Sequence, residues 1–179
     1  MKPTTVAAEV EELRHFLNTL SIPNDTRVLT DALPALAADT TSWQRLFGRI
    51  SAPHGRKAGT ELARLRDDLR ADVEERVTVR LDRWLARYPQ TARIEDGALV
   101  LSGADTPVEE ILRLAAWLVT DRRWNRLRAC PDCRWVFYDQ SRNNSRVWCS
   151  MYAGSTGRAC GSIAKVTAMR SRRSAAAGS

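Results

Sequence analysis

The placement of cysteine constrains this chain more than any other feature of its sequence. All four cysteines fall between residues 130 and 160, and the first 129 residues contain none. They are arranged as Cys130-Pro131-Asp132-Cys133, then Cys149-Ser150-Met151, then Cys160-Gly161. Thiolates are the soft ligands that zinc prefers, and a closed tetrahedral shell needs four of them converging from separate stretches of chain. A Cys-x2-Cys pair suits such a shell because a tight turn directs both sulfurs to one side. The 15 residues between Cys133 and Cys149 allow a short hairpin to fold back and deliver the second half. The last pair departs from the generic pattern, because the ten residues between Cys149 and Cys160 are too many for a second knuckle. Zn2+ held by Cys130, Cys133, Cys149 and Cys160 is therefore the expected cofactor.

Other uses of four thiols fit less well. Disulfides are disfavoured because Met1-Lys2-Pro3-Thr4-Thr5 runs into an acidic, polar segment that does not read as a secretory leader, so a cytoplasmic protein is expected. A thioredoxin-like pair belongs in a βαβ unit, and no such pattern precedes Cys130. A zinc deaminase needs a His-x-Glu element, whereas the only histidines are His15 and His54, neither in that setting. An unligated or redox role is the reading left open beside structural zinc. No acid–base or nucleophile constellation stands out beyond the cysteines, so an enzyme is not expected.

Charge divides the chain at nearly the same point. Residues 1–120 hold 16 Lys and Arg against 18 Asp and Glu, whereas residues 121–179 hold 12 against 3. The last third thus carries all of the net charge of +7, the pattern of a polyanion-facing module joined to an ordinary one. The longest apolar run, Leu114 to Val119, is far too short to span a bilayer, and no membrane partner is expected.

The run Phe137-Tyr138-Asp139-Gln140-Ser141-Arg142-Asn143-Asn144-Ser145-Arg146-Val147-Trp148-Cys149-Ser150-Met151 resembles the core signature of CGNR-type zinc fingers. In that family a cysteine knuckle precedes the run, and a final Cys-Gly-Asn-Arg opens a basic helix. Here the final motif reads Cys160-Gly161-Ser162-Ile163, after a gap about six residues longer than the family's, and is followed by the matching Ala164-Lys165. The resemblance covers roughly residues 126 to 173 and implies a DNA-binding transcriptional regulator with double-stranded DNA as partner. On that reading Arg142, Asn143 and Arg146 in the signature, with Lys165, Arg170, Arg172 and Arg173 on the basic helix, are the candidate nucleic-acid contacts. Guanidinium groups suit that role because they bind phosphate in a bidentate manner and read guanine edges. An RNA-binding or protein-docking zinc module without sequence readout is the alternative, strengthened by the absence of the Asn-Arg pair.

Upstream, Phe16-Leu17-Asn18-Thr19-Leu20 is similar to the opening of the ABATE domain, which commonly precedes such fingers. The similarity makes Asn18 and Thr19 candidates to line a small-molecule effector site. Capping the first helix before Pro23-Asn24-Asp25 is the other reading. A sensor or homodimerisation role for this part would follow.

Apolar periodicity predicts the remaining elements. Val6, Val10, Leu13, Phe16, Leu17 and Leu20 mark a first helix. Asp31 caps a second running to Ala38, and Ser42 to Ile50 is a third. Leu62, Leu65, Leu69, Val73, Val77, Leu81 and Leu85 form one stripe, predicting a single long helix from Thr60 to Arg87. Asp96-Gly97 turns a hairpin over 93–102. Thr106-Pro107, with Glu109 at N3, opens a last helix that runs to about Leu127. The expected fold is mainly α: a helical domain with a small β-hairpin over 1–125, then a small four-cysteine finger of knuckle, hairpin and basic C-terminal helix over 126–173, and a disordered tail at 174–179. The first 120 residues, cysteine-free and charge-balanced, are expected to fold without zinc.

Overall fold

The computed structural model describes residues 4–150 except 24, together with 159–163, 165–166 and 169–170. Arg172, Arg173 and the tail at 174–179 lie outside the described residues. Helix α1 (Thr4–Leu17) buries Val10, Leu13, Phe16 and Leu17, as their three- and four-residue spacing requires. A two-residue pairing of β1 (Leu20–Ser21) with β2 (Thr30–Asp31) leads to the short helices α2 (Leu33–Ala38) and α3 (Thr40–Leu46). Asp31, one residue before the N-cap Ala32, accepts from the Leu33 N–H at 3.0 Å at the start of α2, with Pro34 in the first turn. Trp43 and Phe47 enter the core, and the Trp43 indole N–H donates to the Ile50 carbonyl at 2.8 Å.

The expected long helix is two helices, α4 (Gly55–Glu75) and α5 (Val79–Arg87), folded back on each other. Arg76 takes a left-handed φ of 61° and ends α4. Asp72, fully buried, accepts from the Arg80 N–H at 2.9 Å and the Leu81 N–H at 2.8 Å, filling the start of α5 where Thr78 makes no side-chain cap. The apolar stripe keeps its period through the reversal because Leu81 and Trp84 return to the core that Leu69 and Val73 already face. Periodicity alone therefore could not reveal the break. Contacts between Asp72 and Arg80, Asp68 and Trp84, and Glu61 and Tyr88 run in antiparallel order along the pair.

The hairpin β3 (Thr91–Glu95) and β4 (Ala98–Ser102) forms in the predicted register, Glu95 opposite Ala98, with positive φ at both Asp96 and Gly97. Helix α6 (Pro107–Thr120) opens as expected, Thr106 Oγ1 accepting from the Glu109 N–H at 3.3 Å. It stops seven residues early. Arg122 takes a left-handed φ of 57°, and the Arg123 N–H donates back to the Leu118 carbonyl at 2.7 Å. A 3₁₀ turn (Trp124–Arg126) then feeds β5 (Leu127–Ala129), which pairs antiparallel with β6 (Val136–Tyr138). Among the described residues no helix is long and apolar enough to cross a membrane.

The core does not close at residue 120. Leu127 and Val136 of the β5–β6 hairpin, and Trp124 before it, are buried in the same cluster as Leu13, Leu65, Leu69 and Leu118. The Trp124 indole N–H donates to the Val77 carbonyl at 3.0 Å, fastening this hairpin to the α4–α5 turn.

Candidate metal centre

Cys130 and Cys133 occupy the turn between β5 and β6. The Cys130 N–H donates to the Trp135 carbonyl at 2.9 Å, and the Arg134 N–H donates to the Cys130 carbonyl at 2.8 Å. This tight closure requires a left-handed residue, and Arg134 supplies it at φ 55°. For a residue with a Cβ that conformation costs on the order of 1–2 kcal/mol. Contacts to the helical body offset it: the Arg134 carbonyl accepts from Arg70 Nη2 at 2.8 Å, and the Arg134 guanidinium pairs with Glu74 at 2.7 Å. The sequence reading placed a hairpin between Cys133 and Cys149. Instead the strands flank the knuckle, and the chain from Asp139 to Trp148 returns as a loop.

Asp139 organises that loop. It is fully buried, and its carboxylate accepts from the Ser141 N–H and the Arg146 N–H, both at 2.8 Å. Burial pushes its carboxyl up, but hydrogen bonds from the Ser141 hydroxyl and from the two backbone N–H groups outweigh that and hold it below the usual carboxylate range. Arg126 secures the same bend, donating Nη1 to the carbonyls of Asp139 and Ser141, each at 3.0 Å. Arg146 closes the loop onto the ligands. Its Nε donates to the Trp148 carbonyl at 2.8 Å, its Nη2 donates to the Cys149 carbonyl, and its guanidinium lies 5.1 Å from the centre of the Phe137 ring. Helical backbone begins again at Cys160, where the Gly161 N–H donates to the Ser150 carbonyl at 2.9 Å.

These elements bring all four sulfurs within 4.8 Å of one another. Cys133 and Cys149 approach to 3.5 Å, and Cys149 and Cys160 to 3.7 Å. A zinc ion with four bonds of about 2.3 Å needs sulfurs about 3.8 Å apart, so the shell fits the ion. The long spacing before Cys160 therefore does not break the site. Cys130, Cys133 and Cys160 are buried, and Phe137, Trp135 and Trp148 pack around them as a second small core. Without a cation so compact a set cannot ionise together. Hydrogen bonds from the Cys133 and Cys149 thiols push Cys130 down, whereas hydrogen bonding to Cys130 pushes Cys149 up, and burial pushes Cys160 up to about 12. A divalent cation removes that conflict, so binding ionises the thiols and releases protons. Four thiolates fill a tetrahedron, as in structural zinc sites.

Side chains from the helical body grip the knuckle at several points. Asn18 Nδ2 donates to the Val136 carbonyl and its Oδ1 accepts from the Val136 N–H, both at 2.8 Å, so one side chain pairs with β6 as a neighbouring strand would. Arg70, buried to 5% exposure, bridges the carbonyls of Leu17 and Arg134. Arg27 donates to the Asp132 carbonyl and carboxylate, both at 3.0 Å, and Arg14 lies 5.9 Å from the Trp135 ring centre. Thr19 is buried, its hydroxyl donating to the Phe16 carbonyl and accepting from Arg66. Of the residues that bond the knuckle only Asn18 stands out in the sequence, there paired with Thr19 as a ligand-site lining or a cap of the first helix; Thr19 bonds the last turn of α1. Arg14, Arg27 and Arg70 gave no local signal, since their partners on the knuckle lie 64 to 121 residues away in the chain.

The candidate nucleic-acid residues separate into three groups. Arg142 and Asn143 are exposed at the outer bend of the Asp139 loop. Arg146, although exposed, is held against the ligand loop as described above. Lys165 and Arg170 are exposed on helical backbone after Cys160. Arg122, Arg123, Arg126 and Arg142 line a groove of about 880 Å³ between the finger and the end of α6.

Fold and site together define a zinc-binding module set against a helical body. Residues 126–173 match the model of the CGNR zinc finger, a span holding all four cysteines. No curated protein matches the chain.

Proposed function

We propose that this protein is a zinc-dependent, DNA-binding transcriptional regulator, its helical body an ABATE-like sensor or dimerisation module. The observation that carries the reading is the Arg142–Asn143 bend. Two exposed polar side chains stand on a loop that Asp139 and Arg126 bond beside the four cysteines, next to Arg122 and Arg123. Preorganised guanidinium and amide groups of this kind lose little freedom on binding a base edge or a phosphate. Exposed Lys165 and Arg170 add charge on the same module, and phosphate contacts of this kind give affinity that falls with salt.

A second reading, protein docking, is favoured by one feature of the helical backbone after Cys160. Val166 and Met169 are about half exposed, and with Ile163 they recur every three residues, an apolar stripe where the family has Arg in the Cys-Gly-Asn-Arg motif. A salt titration on specific and scrambled duplexes separates the two. Arg170→Ala should weaken all duplexes and make the slope of log K against log salt shallower by about one unit. Arg142→Ala should erase preference at one position at a cost of about 1–3 kcal/mol. Equal, weak affinity for every duplex would favour docking.

A further inference from the structure

The helical body carries a second concentration of positive charge, in a place its overall acidic balance conceals. The antiparallel α4–α5 pair encloses an open groove of about 920 Å³, within the range of small-ligand sites. Its cations are Arg56, Lys57 and Arg64 from α4, and Arg80, Arg83 and Arg87 from α5. Arg56 and Arg64 lie eight residues apart, two turns of one helix face. Arg83 and Arg87 lie one turn apart on the facing helix.

Each acid in the groove has a hydrogen-bond partner, although Asp68 meets only a neutral indole and Asp67 shares Arg66 with Asp31. Asp68 accepts from the Trp84 indole N–H at 2.8 Å, Asp67 pairs with buried Arg66 at 2.9 Å, and Glu61 holds Arg87 at 3.1 Å and the Tyr88 hydroxyl. Arg80 is taken up by Asp72 and Glu75. Arg56, Lys57, Arg64 and Arg83 are exposed and make no ion pair with the described residues. The lining thus sets six cations against three carboxylates, and four of those cations make no ion pair with the described residues. Helix α4 adds the positive end of 21 aligned residues there: its N-cap, His54, makes no side-chain hydrogen bond, and no acid occupies its first turn.

The field is bounded. Around the α4–α5 turn, at one end of the pair, Glu74 and Glu75 are exposed but held by Arg134 and Arg80, and exposed Asp82 makes no ion pair with the described residues, beside exposed Arg76. A nucleic acid continues its charge every ~1.7 Å of axis and would be carried onto Asp82, whereas a compact anion stops short of it. Trp84 is buried to 7% exposure and offers no face for stacking, so recognition falls to the phosphate groups alone. We propose that the α4–α5 groove binds a small molecule bearing two or more linked phosphate groups, a site separate from the zinc finger and its nucleic-acid face.

The test uses inorganic pyrophosphate as probe and the zinc-loaded full chain, with zinc content measured before and after. Calorimetric titration should show one site. Arg64→Ala and Arg83→Ala should each weaken it about tenfold, as expected for loss of one charge-assisted contact. Arg64→Lys should keep most of the affinity, and Arg93→Ala, on the exposed β3 strand, should leave it unchanged. The substituted side chains are exposed and unpaired, and circular dichroism should confirm an unchanged fold. In a second arm, the salt dependence of duplex DNA binding should be the same for Arg64→Ala as for wild type. Absent pyrophosphate binding, or equal binding by all variants, would overturn the proposal. So would a duplex slope made shallower by Arg64→Ala, which would place the groove on the nucleic-acid face instead. Failure of DNA binding in every protein would overturn the regulator reading and leave this one standing.

Discussion

The two halves of the metal shell are built on different principles. Cys130 and Cys133 sit in a turn whose flanking strands are part of the main core, and Asn18, Arg27 and Arg70 bond its backbone from outside. Cys149 and Cys160 follow a loop whose order comes from within, from Asp139, Arg126 and Arg146. Their immediate packing partners are Phe137, Trp135, Trp148 and the other cysteines. One half is held by the helical body, and the other is held by its own loop. The difference implies that metal binding completes a site rather than creating one, so its free energy goes mainly into ordering the second half.

The largest effect should come from removing the ion. Under chelation, amide exchange should stay slow at Leu127 and Val136 and become fast between Ser141 and Cys149. Equal loss of protection in both segments would break the contrast. Cys149→Ser should abolish stoichiometric zinc and reproduce the chelated pattern in metal analysis and exchange.

Truncation tests the same boundary from the other side. A chain ending at Thr120 loses buried Trp124, Leu127 and Val136. At about 1.5–3 kcal/mol per large buried side chain, that is comparable with the entire stability of a domain. Such a chain should be unfolded or molten by circular dichroism, whereas one ending at Tyr138 should fold without zinc. The charge balance of the first 120 residues suggests an independent unit, and the core shared with Trp124, Leu127 and Val136 predicts a limit at β6.

Acid should separate the regions by pH. Zinc affinity falls as pH falls, because Cys149 and Cys160, whose thiols are pushed up, must lose protons to bind. In the helical body, burial pushes the Asp31 carboxyl up, but hydrogen bonds from Arg66 and the Leu33 N–H outweigh it and hold it below its usual range. A depressed carboxyl contributes stability above its unfolded value near ~3.9, lost as pH falls through the lower folded value. Tryptophan fluorescence and metal release followed together should therefore show zinc leaving first and the body unfolding below about pH 4. A single concerted transition would contradict this.

Single grips should have smaller, graded effects. Asn18→Ala leaves the N–H and the carbonyl of buried Val136 unpaired, a loss of about 3 kcal/mol in chemical denaturation, accompanied by weaker zinc binding. Arg14→Ala removes only the contact with Trp135 and the neighbouring Glu11 pair, and should cost at most about 1 kcal/mol. A larger penalty at Arg14 than at Asn18 would invert the ranking of backbone over side-chain grips.

Much of this architecture was legible in the sequence where the physical cause is local. The four cysteines specified a soft-metal shell because thiolate chemistry and a two-residue turn need only adjacent residues. The Asp31 bond at the start of α2, the cap at Thr106, the Asp96-Gly97 turn and the buried stripes of α1, α4 and α6 followed from spacing for the same reason. What the tertiary structure alone decided depends on partners distant in the chain. The break at Arg76 is set by the buried Asp72 carboxylate capping α5 across the reversal, which an apolar period cannot encode. The knuckle's left-handed Arg134 is affordable only because Glu74 and Arg70 meet it from α4. Asn18 lies 118 residues from the strand it pairs with, and its role rests on that distant contact. The basic groove likewise needs two helices folded antiparallel before its arginines face one another. Sequence fixed which groups this protein has and their local bends; only the folded chain decided which charges are neutralised and which are left facing solvent, because that depends on distance through space.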